Sequence, residues 1–252
     1  FENHLMLFLP MMNWIALWRN KRTENDESEK VVKKGTAVKM AGRSKHPYEA
    51  FIPENAEKLI LGTIPPYRFC HPDEEKLFAK DVDFYYGSKD NYFWKLLSGV
   101  LNRKLSYANS ERAIEERKQL LTDIHAGIAD MVESCVHIDK RSDDASLDDI
   151  RQRDLPKLLL QNPNIKELIY TSRFVAKLVG QSVSRFHNIQ VRHRWAADKL
   201  DGSIEIGGKR YEVHILYSPS PNALRSISPG KRLERYRKIF AEHSCSHVSF
   251  PV

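Results

Sequence analysis

An apolar run, Leu59-Ile60-Leu61, stops abruptly on Gly62-Thr63-Ile64-Pro65-Pro66, and further apolar runs recur downstream with helical patterns between them. A short aliphatic run bounded by Gly and Pro reads as a strand buried on both faces. Strands of that kind separated by amphipathic helices pack as a parallel sheet covered on both sides. The expected strands are 58–62, 126–131, 166–171 and 213–217, and the expected helices 91–101, 110–122, 151–161 and 172–179. Asp201-Gly202 and Gly207-Gly208 mark turns around a short polar strand that pairs with 211–216, and the basic stretch 229–243 reads as a last surface helix. The expected fold class is α/β, three-layer, with a central, mostly parallel sheet of about four strands flanked by helices.

In an open parallel sheet, ligands bind in the crevice at the carboxyl ends of the strands. The first strand leads, through a spacer at 67–83, to Phe84-Tyr85-Tyr86-Gly87-Ser88-Lys89-Asp90-Asn91-Tyr92-Phe93-Trp94. The spacer either enlarges the pocket or is a surface insertion. Aromatic faces beside an amide and a carboxylate suit a pocket that stacks a flipped nucleobase and reads its edge. Asn91 offers both an acceptor and a donor, so it can orient a water or bond a base. Asp90 can serve as general base or stabilise positive charge on a sugar. Both residue types also cap helices, and the two roles can coexist. Tyr86 and Phe93 either wall the pocket or pack in the core; Trp94 is assigned to the core.

These residues resemble the uracil-DNA glycosylase superfamily, and most closely its hypoxanthine (deoxyinosine) and mismatch-specific branch. The resemblance rests on three ordered matches over roughly residues 57–241. One is the Gly-x-x-Pro turn with the element holding Tyr85, Tyr86, Asn91, Phe93 and Trp94. The next is Gly127-Ile128-Ala129-Asp130-Met131-Val132-Glu133-Ser134-Cys135 with Ser146-Leu147-Asp148-Asp149-Ile150, and the last is Leu216-Tyr217-Ser218-Pro219-Ser220-Pro221-Asn222-Ala223.

The resemblance implies a uracil-DNA glycosylase-like fold and a monofunctional DNA glycosylase that hydrolyses the N-glycosidic bond of a deaminated or modified base. It supports Asn91 as a catalytic residue, and the carboxylate chemistry of Asp90 beside it completes the expected catalytic pair. The base pocket would comprise Gly62, Thr63, Ile64, Pro65, Tyr86, Phe93 and Ser218. Ser218, Ser220, Asn222, Leu224, Arg225 and Lys231 would contact DNA, with Leu224 as the apolar wedge. Three departures stand out. Asp90 replaces a basic residue usual in this branch, the first turn lacks the Asn or Asp of many relatives, and Ser218 replaces a His of some uracil-specific ones. The long spacer at 67–83, Asp90 and the missing first-turn carboxamide open an alternative, an anti-phage glycosylase removing a bulky modified cytosine such as a glucosylated hydroxymethyl form, and Ser218 is a further hint that the substrate is not plain uracil. A reading of another class is a non-catalytic DNA-binding module on the same fold. No Lys sits inside the matched motifs at the place where a Schiff-base lyase would want one, so strand cleavage of its own is not expected.

Composition fits these readings. Forty Lys and Arg against 33 Asp and Glu give a net charge of +7, which favours a polyanion such as DNA. Three widely spaced cysteines cannot ligate an iron-sulfur cluster and suit a reduced, cytoplasmic protein. No metal or other cofactor is expected, and His187 and His193 read as surface or capping residues. Residues 1–18 are apolar but broken by Pro10 and Asn13, and 20–46 are highly charged. The expected organisation is therefore an accessory or disordered segment at 1–45 without a membrane span, then a glycosylase domain at 46–252, monomeric.

Overall fold

In the computed structural model, the described residues are 42–187, 192–221, 223 and 227–241. In chain order the elements are β1 (Arg43–Lys45), β2 (Lys58–Gly62), α1 (Tyr67–Cys70), α2 (Phe93–Val100), α3 (Glu111–Asp123), β3 (Ala126–Asp130) and β4 (Val132–His137). They continue with β5 (Leu147–Gln152), α4 (Leu155–Gln161), β6 (Glu167–Tyr170), α5 (Arg173–His187), β7 (Arg194–Trp195), β8 (Asp201–Ile206), β9 (Lys209–Ile215) and α6 (Pro229–Phe240).

The main sheet has six strands in the order β3-β2-β6-β9-β8-β7. The first four are mutually parallel and are the four strands expected from the sequence. Every residue of β2 and β3 is buried, which explains their continuous apolar character. Leu59, Leu61, Leu168 and Tyr170 face one core, which Leu159, Val175 and Leu178 complete. Ile60, Ile128 and Ile169 face the other, against Trp94, Leu97, Leu120 and Tyr236. The result is the expected three-layer α/β architecture. The added edge is an antiparallel hairpin, β8–β9, whose two-residue turn uses Gly207 and Gly208 at φ 60° and 77°.

Several boundaries differ from expectation. Arg151 and Gln152 end a strand, and the helix after them begins only at Leu155, where the Asp154 side chain accepts from Lys157 N. The helix expected at 172–179 runs on to His187. Asp201-Gly202 opens β8 instead of turning. A second sheet, β1-β4-β5, is antiparallel and was not expected. Its first strand pairs from Arg43, so regular structure begins before the expected start at residue 46; residues 1–41 lie outside the described residues. Among the described residues, no helix is long and apolar enough to cross a membrane.

Candidate active site

The parallel strands end together, and the residues that follow them build one cavity of about 740 Å³. Thr63 follows β2, Asp130 ends β3, Thr171 follows β6 and Ser218 comes shortly after β9; all four line it. This is the crevice in which a parallel sheet offers loops and helix ends to a ligand.

The structure brings most of the expected residues to this cavity. Thr63, Ile64 and Pro65 form one wall, Tyr86, Asp90 and Asn91 another, and Ser218 and Ser220 a third. The Tyr92 backbone N–H donates to Pro219 O at 3.0 Å, tying the Asn91 loop to the Ser218 loop. Asn91, one residue before the N-cap Tyr92, accepts at Oδ1 from Phe93 N, the first N–H of α2, at 2.9 Å, while its amide nitrogen has no hydrogen-bond partner among the described residues. Support of the helix start and a donor at the cavity therefore coexist in one side chain.

Tyr86 holds a left-handed backbone, φ 54°, and its hydroxyl donates to Thr171 Oγ1 at 2.7 Å. Thr171 in turn donates to Leu61 O at 3.1 Å, anchoring the phenol to the central strands. Burial, with Asp130 nearby, pushes the phenol well above its usual range, so it remains a neutral donor.

Two of the expected pocket residues stand elsewhere. Phe93 is fully buried and stacks beneath Tyr86 with ring centroids 4.6 Å apart, so it supports the wall without lining the cavity. Gly62 lies behind that wall: a Cβ there would come within 2.1 Å of both Asp130 Oδ1 and the Tyr86 hydroxyl. Its contribution is to let those two groups press against the strand. Lys231 is exposed in the first turn of α6 and does not line the cavity. Asn222, Leu224 and Arg225 lie outside the described residues. Asp90 stands at the rim, its side chain 56% exposed and 2.9 Å from Lys89 Nζ.

The cavity is also lined by the buried Asp130 and the half-buried Asp144, neither of which sequence reasoning singled out. Asp130 is opposite Gly62 in the parallel register, with its side chain only 6% exposed. Its Oδ2 lies 2.9 Å from His46 Nε2, and its Oδ1 has no hydrogen-bond partner. His46 Nδ1 lies close to both Tyr48 N (3.1 Å) and Tyr48 O (2.9 Å), so the ring is fixed through its own turn. A buried carboxylate oxygen without a partner, packed between Gly62 and the Tyr86 wall, is an acceptor left short.

Asp144 reaches the same cavity from the segment between β4 and β5. Burial pushes its carboxyl above the usual carboxylate range against the pull of the Thr63 hydroxyl, and the charges of Asp143 and Asp130 push it further. The lining cations are each met by acids: Arg68 by Asp81, Lys140 by Glu74 and Glu75, and Arg141 by Asp143. Among the described residues, no group of three or more His, Cys, Asp or Glu is arranged to hold a metal.

This arrangement can be set beside known proteins. The chain is similar to a solution NMR structure described as a "putative Uracil DNA glycosylase" from Methanosarcina acetivorans, with a TM-score of 0.51 and 19% sequence identity. The match covers 79% of this chain and 97% of that one. The fold is shared. No protein-family model and no curated protein matches the chain.

Proposed function

We propose that this protein is a monofunctional DNA glycosylase that takes a deaminated or modified base out of the DNA stack and hydrolyses its N-glycosidic bond, leaving an abasic site. The observation that carries the reading is the cavity itself. It sits at the carboxyl ends of the parallel strands and joins the Asn91 amide, the Tyr86–Thr171 wall and Asp130, whose buried Oδ1 has no partner. A flipped base needs a flat wall and a few polar groups facing its edge. Tyr86 supplies the wall, and Asp130 Oδ1 accepts an N–H from the base. The Asn91 amide orients water or the base on the sugar side, where positioning supplies much of the rate.

Lys140 supports the absence of strand cleavage. Among the described residues it is the lysine that lines the cavity, and the hydrogen bonds it donates to Glu74 and Glu75 raise its pKa and favour its protonated form. A protonated amine cannot form a Schiff base. The similarity in fold to the archaeal structure agrees with this reading, and so does the positive net charge. The cavity volume favours a second substrate, a bulky substituted cytosine, since about 740 Å³ lies within the range that holds drug-sized ligands.

The test is release of free base, read by mass spectrometry, from DNAs carrying uracil, hypoxanthine, mismatched thymine, hydroxymethylcytosine or glucosylated hydroxymethylcytosine. One of these bases is released, and Asn91→Ala lowers the rate roughly 10²–10³-fold. Salt-sensitive DNA binding with no base released from any substrate overturns the enzyme reading in favour of a binding module.

A further inference from the structure

We propose that the free edge of the main sheet carries a second DNA site, where Trp195 stacks on an unpaired base of the strand whose flipped nucleotide enters the cavity, so that the protein engages single-stranded DNA. The inference rests on DNA being the ligand of the cavity, but it needs no cleavage there.

β7 is a strand of two residues at the end of the sheet, and among the described residues it pairs with β8 alone. Its Trp195 is 37% exposed. The indole is nevertheless fixed. It lies flat on the His193 ring, with centroids 4.8 Å apart and 9° between the planes. His193 Nε2 is hydrogen-bonded to the buried Tyr170 hydroxyl at 3.0 Å, which anchors the pair to the end of β6. Gly202, opposite Trp195 in the register, leaves the indole its room: a Cβ there would come within 2.9 Å of Trp195 Cε3. An exposed aromatic ring already held in place stacks on a ligand at little entropic cost.

Charge points to the ligand. Arg192 and Arg194 flank His193, and Lys199 follows in the turn to β8; all three are exposed, and none meets a carboxylate among the described residues. Arg173, exposed at the start of α5, joins them by donating from Nη1 to Lys199 O at 3.1 Å, and it too has no acid among the described residues. The nearby acids are engaged elsewhere. Asp198 Oδ1 accepts from Leu200 N and Asp201 N, and Asp201 holds Arg235, His214 and Lys238. Glu205 stands opposite Arg210, beyond the two residues that β7 covers. The cations of the cavity are the reverse case, each being met by acids. Unpaired cations around a fixed aromatic face suit a chain of phosphates and bases. A protein partner would need a wider apolar patch than one indole.

The site is continuous with the cavity. Ser172, which lines the cavity, directly precedes Arg173, and Tyr170, which holds His193, directly precedes Thr171 of the cavity wall. DNA leaving the cavity on this side meets Arg173 first. An indole stacks only on a base whose face is open, and within a duplex both faces are covered by neighbouring pairs, so the strand held here is single.

The test is binding of the full chain to a lesion-free oligothymidine and to a duplex of the same length, read by fluorescence anisotropy over a range of salt. The single strand is expected to bind more tightly. Trp195→Ala weakens that binding roughly 10-fold and leaves duplex binding as it was, while Trp195→Phe keeps most of it. With an oligonucleotide made only of abasic residues, Trp195→Ala and the unaltered chain bind alike. Arg194→Gln, at an exposed position, reads the site independently of the indole's packing: it lowers the slope of log affinity against log salt by roughly 0.7, as one lost phosphate contact on a single strand should. Melting curves check that the variants fold. Undiminished single-strand binding by Trp195→Ala overturns the proposal, and so do equal losses on single strand and duplex. Sedimentation showing a dimer that Trp195→Ala dissolves without change in DNA affinity also overturns it, and makes this edge a protein interface. Base release that persists alongside any of these outcomes keeps the glycosylase reading. Single-strand binding that depends on Trp195, with no base released from any substrate, sinks that reading and keeps this site.

Discussion

Two carboxylates, Asp130 and Asp201, show how the same side chain is used in two parts of this molecule. Asp201, at the start of β8, receives Arg235 on both oxygens, His214 Nδ1 at 2.8 Å and Lys238 Nζ at 2.8 Å. Arg235 and Lys238 come from α6 and His214 from β9, so this one carboxylate fastens the last helix to the sheet. Asp130 is more deeply buried yet has one partner, His46, and an oxygen with none. A polar group whose bonds are all made is holding structure together, while one left short beside a cavity is kept for a ligand. The cost of leaving Asp130 short is borne by the rest of the fold.

The largest effect expected from this contrast is on Asp130. Asp130→Asn keeps the shape but exchanges an acceptor for a donor in the direction of the base. Base release should fall roughly 10²–10³-fold, equivalent to about 3–4 kcal/mol of transition-state stabilisation. The melting temperature should change little. A variant that melts far lower with its residual rate intact would place Asp130 in the same structural class as Asp201.

Asp201→Ala is the mirror experiment. It leaves Arg235, whose side chain is 5% exposed, without its carboxylate. The expected loss is about 3 kcal/mol, a drop in melting temperature of roughly 6–12 °C for a domain of this size. The rate of base release per folded molecule should be unchanged. Loss of activity without loss of stability would break the comparison from its other side.

The contrast also shows what could be read in advance. Of the four parallel strands, β2, β3 and β6 were legible because burial on both faces writes a continuous apolar run, as in Leu59-Ile60-Leu61, and β9 through its alternation of buried and outward residues. The second sheet was not, because β5 reads Leu-Asp-Asp-Ile-Arg-Gln and is exposed at three of its six residues, with no apolar period to set it apart from a helix start. At the site, Asn91 and Tyr86 stood out through their crowded aromatic neighbourhood. Asp130 did not, since a single Asp ending a strand looks like an ordinary boundary and its partner His46 lies 84 residues earlier. Asp144 sits just before Ser146–Ile150 in a largely polar stretch, with no pattern around it to mark it out. Only the fold brings it to the cavity, beside Thr63.

A smaller effect concerns pH. Burial alone would raise the Asp201 carboxyl, but the bonds from Arg235, His214 and Lys238 outweigh it and hold the group far below the usual carboxylate range. A depressed carboxyl contributes stability that is present in full above its unfolded value, near about 4, and is lost as pH falls below it. His137 adds an earlier loss. Burial lowers it to about 4, so protonation favours the unfolded chain as pH falls from about 6.5 toward 4. Urea unfolding between pH 7 and pH 3 should show stability falling in two stages, and Asp201→Asn should flatten the more acidic one alone. A single stage that Asp201→Asn leaves untouched would remove Asp201 from the acid response.

The smallest expected effect is at the hairpin that sets the Asp201 centre. Gly207 has φ 60° and open space where a Cβ would stand, so Gly207→Ala pays for backbone conformation and not for collision. The expected cost is about 1 kcal/mol. The turn also fixes the register in which Asp201 faces His214 across β8 and β9. Because side chains alternate along a strand, a slip of one residue would turn Asp201 away from Arg235 and His214 together. If the turn only closes the hairpin, Gly207→Ala lowers stability equally at pH 7 and pH 3, and base release stays as it was. If the turn determines the register, the variant loses the more acidic stage as Asp201→Asn does. Guanidine or urea unfolding of the two variants at both pH values separates these outcomes, because only a shifted register makes a glycine substitution behave like the loss of a carboxylate.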